Sequence, residues 1–527
     1  MEGQEHKRVR EHLQSLKGRI QNSRGSFLWA CVVALLIAMQ FAIIIYLPFV
    51  MRQYITWFYT LMEVVAVFAV LALTNDNRSM AYKFAWLCII VVFPVSGYVM
   101  FALWGKVGSR NKLNIKIREK IEEVDSHLIV DQEVAEEFNE KHPVSSRMSK
   151  YMQAKNSPIT KNNQAKYYET GEDAWEDIFV DLEKAERFVF IEFFIVAEGG
   201  LWDKLHDILK SKINQGVEVK FLYDDFGALF RTRRDFAHHL RNEGFQVGVF
   251  NPIHRYVNKL FMNFRDHRKI IVIDGKIAYT GGFNVGDEYA NLIERFGVWK
   301  DAGIRVTGDA VYEMVITFLE LWTVCAPGDV IEYDKYRAPE TFHETDMYCH
   351  VLRDGPALGS YSFIGNTYRH MIQYAGKTVY IMTPYLMPDE AMVASILEAS
   401  HRGVDVRIIT PFVPDKKRIK MMTEYNYGLL LKNGVRIYEY QPGFIHSKVI
   451  MNEHCAIVGT INVDYRSFYL HYENGIWVYD EEFLKSVRAD FEKTFAESIE
   501  ITYKEWEKRP IRRKIMQHIF HVFDTLA

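Results

Sequence analysis

Cysteine is scarce in this sequence and none of it is paired. The five cysteines, at positions 31, 88, 325, 349 and 455, include no CxxC spacing, and two lie inside strongly apolar segments. That excludes a disulfide framework and a cysteine-based zinc site, and free thiols fit a reducing compartment. An excess of positive charge is missing as well. A formal net charge of -3 over 527 residues gives no global basic field of the kind that nonspecific nucleic-acid binding requires, so nucleic acid is not an expected partner. A cleavable signal is also lacking, because the first apolar run is too long and ends in Leu-Pro-Phe-Val-Met-Arg rather than in small residues. The scattered histidines His401, His454 and His471 have no metal-ligand spacing, so structural roles are expected for them and no metal is expected.

Long uncharged runs are what the chain does have. Residues 27–50 and 84–104 carry no charge, and each is long enough to predict a transmembrane helix. Residues 54–73 are nearly as apolar but carry Glu63, read as an interfacial residue, and so make a third span, a re-entrant hairpin or a packed helix. Lys7, Arg8, Arg10, Lys17, Arg19 and Arg24 precede the first run, and Lys106, Arg110, Lys112, Lys116, Arg118 and Lys120 follow the last. Both flanks favour the cytoplasmic side, which three full crossings cannot satisfy. A retained, multi-pass anchor in the cell membrane is expected, with the remainder of the chain cytoplasmic. The expected organisation is a basic segment (1–26), the anchor (27–104), a linker helix region (105–166), two globular domains (167–340 and 341–500) and a basic amphipathic C-terminal helix (501–527).

The two globular domains read as a duplication. Strands are predicted at 187–195 and 215–223 with a helix between them, and the same order recurs at 377–384, 391–401 and 402–409. Gly216-Val-Glu-Val and Gly403-Val-Asp-Val mark equivalent points, and each copy continues to a strand, at 244–250 and 434–440, and then to a His-x-Lys. Alternating strands and helices predict an α/β fold in two copies related by an approximate twofold axis.

The repeated polar motif falls where a core would favour apolar residues. The first copy holds His267, Lys269 and Asp274 in a predicted strand at 265–274, followed by Gly281-Gly-Phe-Asn284. The second holds His446, Lys448 and Glu453 at 444–453, followed by Gly459-Thr-Ile-Asn462. His and Lys two apart on a strand share a face. Two histidines and two lysines can together supply what phosphodiester exchange needs: a nucleophile for phosphorus, a proton for the departing alkoxide, and positive charge around the nonbridging oxygens. Asn284 and Asn462 add neutral donors for substrate. Asp301 and Glu473, which follow the two asparagines, are candidates to orient the imidazoles.

An HxKxxxxD followed by GGxN or GTxN resembles the signature of the phospholipase D superfamily, and two copies behind apolar spans resemble the bacterial cardiolipin synthases. The likeness takes in residues 75–83, 286–289 and 383–390. It implies two phospholipase D-like α/β domains after N-terminal transmembrane helices. It also implies phosphatidyl transfer between two phosphatidylglycerols, giving cardiolipin and glycerol without nucleotide, metal or other cofactor. The partners are then anionic phospholipids, phosphatidylglycerol and cardiolipin, and the membrane. By the resemblance His267 is the nucleophile and His446 the acid/base, though the pseudo-twofold makes them nearly interchangeable. Glu453 departs from the family pattern, which has Asp there, so altered local geometry with activity retained is expected. A hydrolytic phospholipase D and a noncatalytic membrane scaffold of the same fold are the alternatives. The tail at 504–523, basic first and then carrying Ile515, Ile519, Phe520 and Phe523 at helical spacing, reads equally as a lipid-binding helix or as a cap on the second domain.

Overall fold

The computed structural model describes residues 42, 55–74, 79–93, 97–98, 100–101, 105, 112–252, 263–338, 344–359 and 361–526. The chain divides into two compact units, one of residues 1–108 with Leu229–Phe236 and Leu526, the other of Ser109–Ala228 with Ala237–Thr525 and Ala527.

In the first unit the span expected at 84–104 is corrected. Among the described residues no helix is long and apolar enough to cross a membrane. The expected span at 27–50 lies, but for residue 42, outside the described residues. The one at 84–104 is no continuous helix: Ser79 caps a helix of 13 residues, Met80–Val92, which stops at Phe93 (φ -128°, ψ 74°). Pro94 comes next, and the residue before a proline is pushed out of the helical region. Tyr82, Trp86 and Ile90 are buried on one side of this helix, with the Trp86 and Phe101 rings edge to face at 5.5 Å. The third apolar run is a 20-residue helix, Ile55–Thr74, which exposes Trp57, Leu61, Val67 and Phe68 together with Glu63.

The second unit contains both repeats. Its strands in the first half are β1 (Gln164–Tyr168), β2 (Phe188–Phe193), β3 (Glu218–Asp224), β4 (Gln246–Phe250), β5 (Arg265–Asp266), β6 (Lys269–Ile273), β7 (Ile277–Gly281), β8 (Val298–Lys300) and β9 (Gly303–Thr307). In the second half they are β10 (Tyr348–Asp354), β11 (Thr378–Met382), β12 (Leu386–Met387), β13 (Asp405–Pro411), β14 (Arg436–Tyr440), β15 (Gly443–Ile445), β16 (Val449–Asn452), β17 (Ala456–Gly459), β18 (Val463–Asp464), β19 (His471–Tyr479) and β20 (Ser498–Ile501). The first sheet runs β1-β9-β7-β6-β2-β3-β4 and the second β10-β19-β17-β16-β11-β13-β14-β20. In each, a parallel trio (β2-β3-β4 or β11-β13-β14) continues into antiparallel strands.

Every residue of β2 is buried, as expected for a strand covered on both faces. One of the covers is the helix Ala310–Cys325, buried without interruption from Ala310 to Trp322. Its apolar residues, with the buried Glu313, Thr317 and Glu320 among them, leave no face for water, and it touches strands of both sheets. The linker region 105–166 is not a spacer. Phe138, Met148, Met152 and Ile159 enter the core of the second half, packed with Tyr348, Ile364 and Trp477, so chain order and packing order differ there.

One expectation changes in a way that matters for chemistry. The predicted strands at 265–274 and 444–453 are each broken at the motif. β5 pairs with β19 of the other half while β6 stays in its own sheet, and β15 pairs with β8 while β16 stays in its own. His267 and His446 sit at these two crossing points.

Candidate active site

Each histidine arrives on a strand borrowed by the opposite half. The His267 N–H donates to the Tyr472 carbonyl at 2.9 Å, and the His446 N–H to the Lys300 carbonyl at 2.7 Å. The next residue on each borrowed track is a carboxylate. His267 Nδ1 lies 2.9 and 3.0 Å from the two Glu473 oxygens, and His446 Nδ1 lies 2.7 Å from Asp301 Oδ2. The carboxylates are therefore exchanged between halves: the one following Asn284 serves the second histidine, and the one following Asn462 serves the first. Carboxylates only accept hydrogen bonds, so each Nδ1 carries the proton and each Nε2 keeps a lone pair.

The lysines lie within the same cluster. Lys269 Nζ donates to the His267 carbonyl at 2.7 Å, and Lys448 Nζ donates to the His446 carbonyl. All four side chains are buried, and the charges of both lysines are felt at both imidazoles. Burial lowers Lys448 to about 7 and Lys269 to about 8, against the pull of Asp301 and Glu473. Burial, Lys269 and Lys448 hold His267 well below the usual histidine range. Burial and Lys448 bring His446 to about 4, with Asp301 pulling it upward.

The two halves are alike but not identical. Asp301 is engaged by His446, by its neighbour's Ala302 N–H at 3.0 Å and by the Trp299 indole at 3.4 Å. Glu473 is shared among His267, the Thr460 hydroxyl and His471, whose Nδ1 lies 3.5 Å from it. The Gly-Gly of the first half and the Gly-Thr of the second have the same cause seen from two sides. A Cβ on Gly282 would fall 1.9 Å from Asp301 Oδ1, whereas Thr460 at the equivalent place turns its hydroxyl onto Glu473. Aromatic rings bound the site: Phe194 and His471 lie 5.2 and 5.3 Å from His267, and Trp299 and Tyr289 lie 5.3 and 5.6 Å from His446.

Asn284 and Asn462 are buried in matching positions with different partners. Asn284 Oδ1 accepts from the Ile195 N–H at 3.0 Å, whereas Asn462 Oδ1 is buried without a hydrogen-bond partner among the described residues. Asp274 and Glu453, grouped with the catalytic residues in the sequence reading, do not join the imidazoles. They stand past the far ends of β6 and β16 and hold the starts of neighbouring strands. Asp274 accepts from the N–H groups of Glu186, Arg187 and Phe188 at 2.7 to 2.9 Å. Glu453 does the same for Gly376, Lys377 and Thr378 at 2.5 to 3.3 Å. The longer Glu therefore serves the same backbone-capping purpose as Asp.

His471 is the site residue that sequence reasoning passed over. It stands two positions before Glu473 on one strand, as Trp299 stands two before Asp301, so the alternation of β-strand side chains was the available signal. Among the described residues, His267, His471 and Glu473 are the set whose ligand atoms, within 4.8 Å of one another, could hold a metal ion. Of these atoms, those of Glu473 hold the His267 imidazole through Nδ1.

Comparison with known proteins follows the same two halves. A family model described as cardiolipin synthase, phospholipase D-like domain, matches residues 178–304 and again 368–495. An uncharacterized protein of Streptococcus mutans is 35% identical over 85% of this chain and 97% of its own length. A cardiolipin synthase of Staphylococcus aureus is 34% identical over 87% of this chain and 94% of its own, and cardiolipin synthase 1 of Staphylococcus epidermidis is 32% identical over 86% and 94%. Among solved structures, the phosphatidylserine synthase of Haemophilus influenzae superposes with a TM-score of 0.56 at 15% identity, covering 72% of this chain and 98% of that one, a likeness of fold.

Proposed function

Because this chain belongs to the cardiolipin synthase family with paired phospholipase D-like domains, we infer that it is a phosphatidyltransferase that converts two phosphatidylglycerols into cardiolipin and glycerol. The observation that carries the reading from family to chemistry is the crossed pairing of His267 with Glu473 and of His446 with Asp301. It makes one site out of two halves and leaves Nε2 of each imidazole for the substrate.

In the proposed reaction His267 Nε2 attacks phosphorus of the first phosphatidylglycerol. The bond to the glycerol oxygen breaks, and His446, as imidazolium, gives that oxygen its proton. The products of this half-reaction are phosphatidyl-His267 and glycerol. The free hydroxyl of a second phosphatidylglycerol then gives its proton to His446 and attacks phosphorus, and the phosphorus–nitrogen bond breaks. Lys269 and Lys448 offset the negative charge on the nonbridging oxygens, and the low polarity of a buried site strengthens that attraction. Asn462 Oδ1, lacking a donor among the described residues, can accept a hydrogen bond from a substrate hydroxyl.

The electrostatics of the two imidazoles support this division of roles. Burial and the charges of Lys269 and Lys448 keep His267 neutral and nucleophilic. Asp301 pulls His446 toward its protonated form. The membrane is part of the same reading, supported by the lipid substrates, by the uncharged run at 27–50 and by the apolar surface of Ile55–Thr74. The basic flanks of the apolar region favour a cytoplasmic catalytic unit.

The test is product analysis with the full chain in phosphatidylglycerol vesicles. Glycerol and cardiolipin should appear together, and phosphatidic acid as the only lipid product would overturn transfer in favour of hydrolysis. His267→Ala should abolish both products, and any acid-labile phosphohistidine, sought in His446→Ala, should be on His267.

A further inference from the structure

The tail proves to have two faces with opposite requirements. Inward, the helix Ile511–His521 is tied to the helix Lys417–Lys432. Arg513 pairs with Glu424 at 2.6 Å, Gln517 is fully buried and donates to Glu424 at 2.9 Å, and Trp506 donates to the Glu424 carbonyl at 2.6 Å. Outward, Ile511, Ile515 and Ile519 are 71%, 53% and 49% exposed. Their spacing of four residues stacks them along one side of the helix, away from Gln517. Single exposed isoleucines are ordinary, but three in a row make a continuous apolar stripe. Phe520 and Phe523, expected on the same stripe, are instead partly covered.

Charge decides what the stripe suits. From Lys508 to Lys514 the tail carries five basic residues, and no acid intervenes between Glu507 and Asp524. Arg509 stacks on Trp506 at 3.4 Å and Arg513 is held by Glu424, while Arg512 and Lys514, on the two flanks of the stripe, make no ion pair among the described residues. A second copy of this helix would bring like charges together, and residues 1–26, with Lys7, Arg8, Arg10, Lys17, Arg19 and Arg24, are basic too. An anionic lipid surface offers both an apolar layer for the isoleucines and phosphates for the flanking cations. The tail also adjoins the second half of the unit. A cavity of about 510 Å³ is lined by Trp506, Arg509 and Arg513 from the tail and by Phe412, Lys417 and Lys420 from the segment after β13. The neighbouring Lys416 is close enough for its charge to be felt at His267.

We propose that the outer face of Ile511–His521 docks on an anionic bilayer, seating Ile511, Ile515 and Ile519 in the apolar boundary with Arg512 and Lys514 on lipid phosphates. The docking does not depend on which reaction the two histidines perform, so its failure and that of phosphatidyl transfer are distinguishable. The test uses the full chain with Ile515→Cys labelled by an environment-sensitive fluorophore, the signal of the parent chain being subtracted. In nanodiscs of phosphatidylcholine with phosphatidylglycerol, emission should shift to shorter wavelength and iodide quenching should be lost. In phosphatidylcholine alone and in detergent, the probe should remain quenchable. Full quenching in the anionic nanodiscs, equal protection in both lipids, or protection in detergent, which would mean cover by protein, each overturns the proposal. As a second variant, Ile511→Glu/Ile515→Glu/Ile519→Glu changes only exposed positions. It should keep the wild-type melting temperature and its turnover of micellar phosphatidylglycerol while losing turnover in vesicles. Unchanged vesicle turnover would also overturn the proposal.

Discussion

Replacing Asp301 by asparagine keeps the side chain's size, removes its charge, and should disable a histidine that lies 145 residues away in the other half of the chain. In the intact site, burial and Lys448 hold His446 at about 4 while Asp301 pulls upward through a 2.7 Å hydrogen bond. Without that pull the imidazolium becomes scarcer, and each further unit of depression costs about tenfold in its population at neutral pH. A hydrogen bond to a buried charged group contributes about 1.5–3 kcal/mol, or roughly one to two powers of ten in rate if it is realised in the transition state. Asparagine can also donate its amide N–H to Nδ1 and hold the ring in the wrong tautomer, an exchange that costs about 10⁴ in serine-protease triads. The expected loss of turnover is therefore about 10² to 10⁴. Glycerol release from phosphatidylglycerol vesicles measures it, and nitrogen-detected NMR of the histidine rings locates it. His446 should change its titration and tautomer while His267 keeps its own, and Glu473→Gln should do the reverse. Turnover within about threefold of wild type, or a change confined to His267, would refute the crossed assignment.

Other outcomes follow from the same geometry. Glu453→Asp withdraws the carboxylate by one methylene from the N–H groups of Gly376, Lys377 and Thr378. It should cost about 1 kcal/mol in chemical denaturation with turnover unchanged, and a large gain in rate would show instead that Glu453 impairs the second half. Arg268→Met removes the 2.6 Å partner of the fully buried Glu320 and leaves it only Arg353 at 2.7 Å, so it should destabilise by about 1.5–3 kcal/mol, read from denaturant midpoints. Burial places Lys448 at about 7 and Lys269 at about 8, so their positive forms persist below those values and are lost as pH rises through them. kcat/KM should therefore fall above pH 7. Inorganic phosphate binding at pH 8 should take up protons, measured calorimetrically in buffers of different ionisation heat, and zero uptake would contradict charge restoration by the anion.

Local pattern made much of this protein legible from its residues. The period-two and helical runs marked Phe188–Phe193, Asp405–Pro411 and Glu390–His401 in nearly their final places, because each buries an apolar stripe whatever lies around it. The His-x-Lys pairs, with their Gly and Asn spacing, pointed to the chemistry because the same polar pattern recurs at the same place in each copy, where a core would favour apolar residues. Local pattern misplaced the linker, since Phe138 and Met152 reveal only in three dimensions that they complete the second half's core. It also grouped Asp274 and Glu453 with the histidines, because proximity along a strand says nothing about which end of that strand faces the site.

By itself, then, the sequence determined the duplication, the α/β class and the two histidines and two lysines that the fold gathers, all of which depend on neighbours along the chain. Tertiary structure alone decided that the motif strands break and cross between halves, so that Asp301 reaches His446, Glu473 reaches His267, and His471 comes to lie beside His267. A carboxylate 145 or 206 residues from its histidine is selected by the register of β5 on β19 and of β15 on β8, and register between distant strands is a property of the folded sheets.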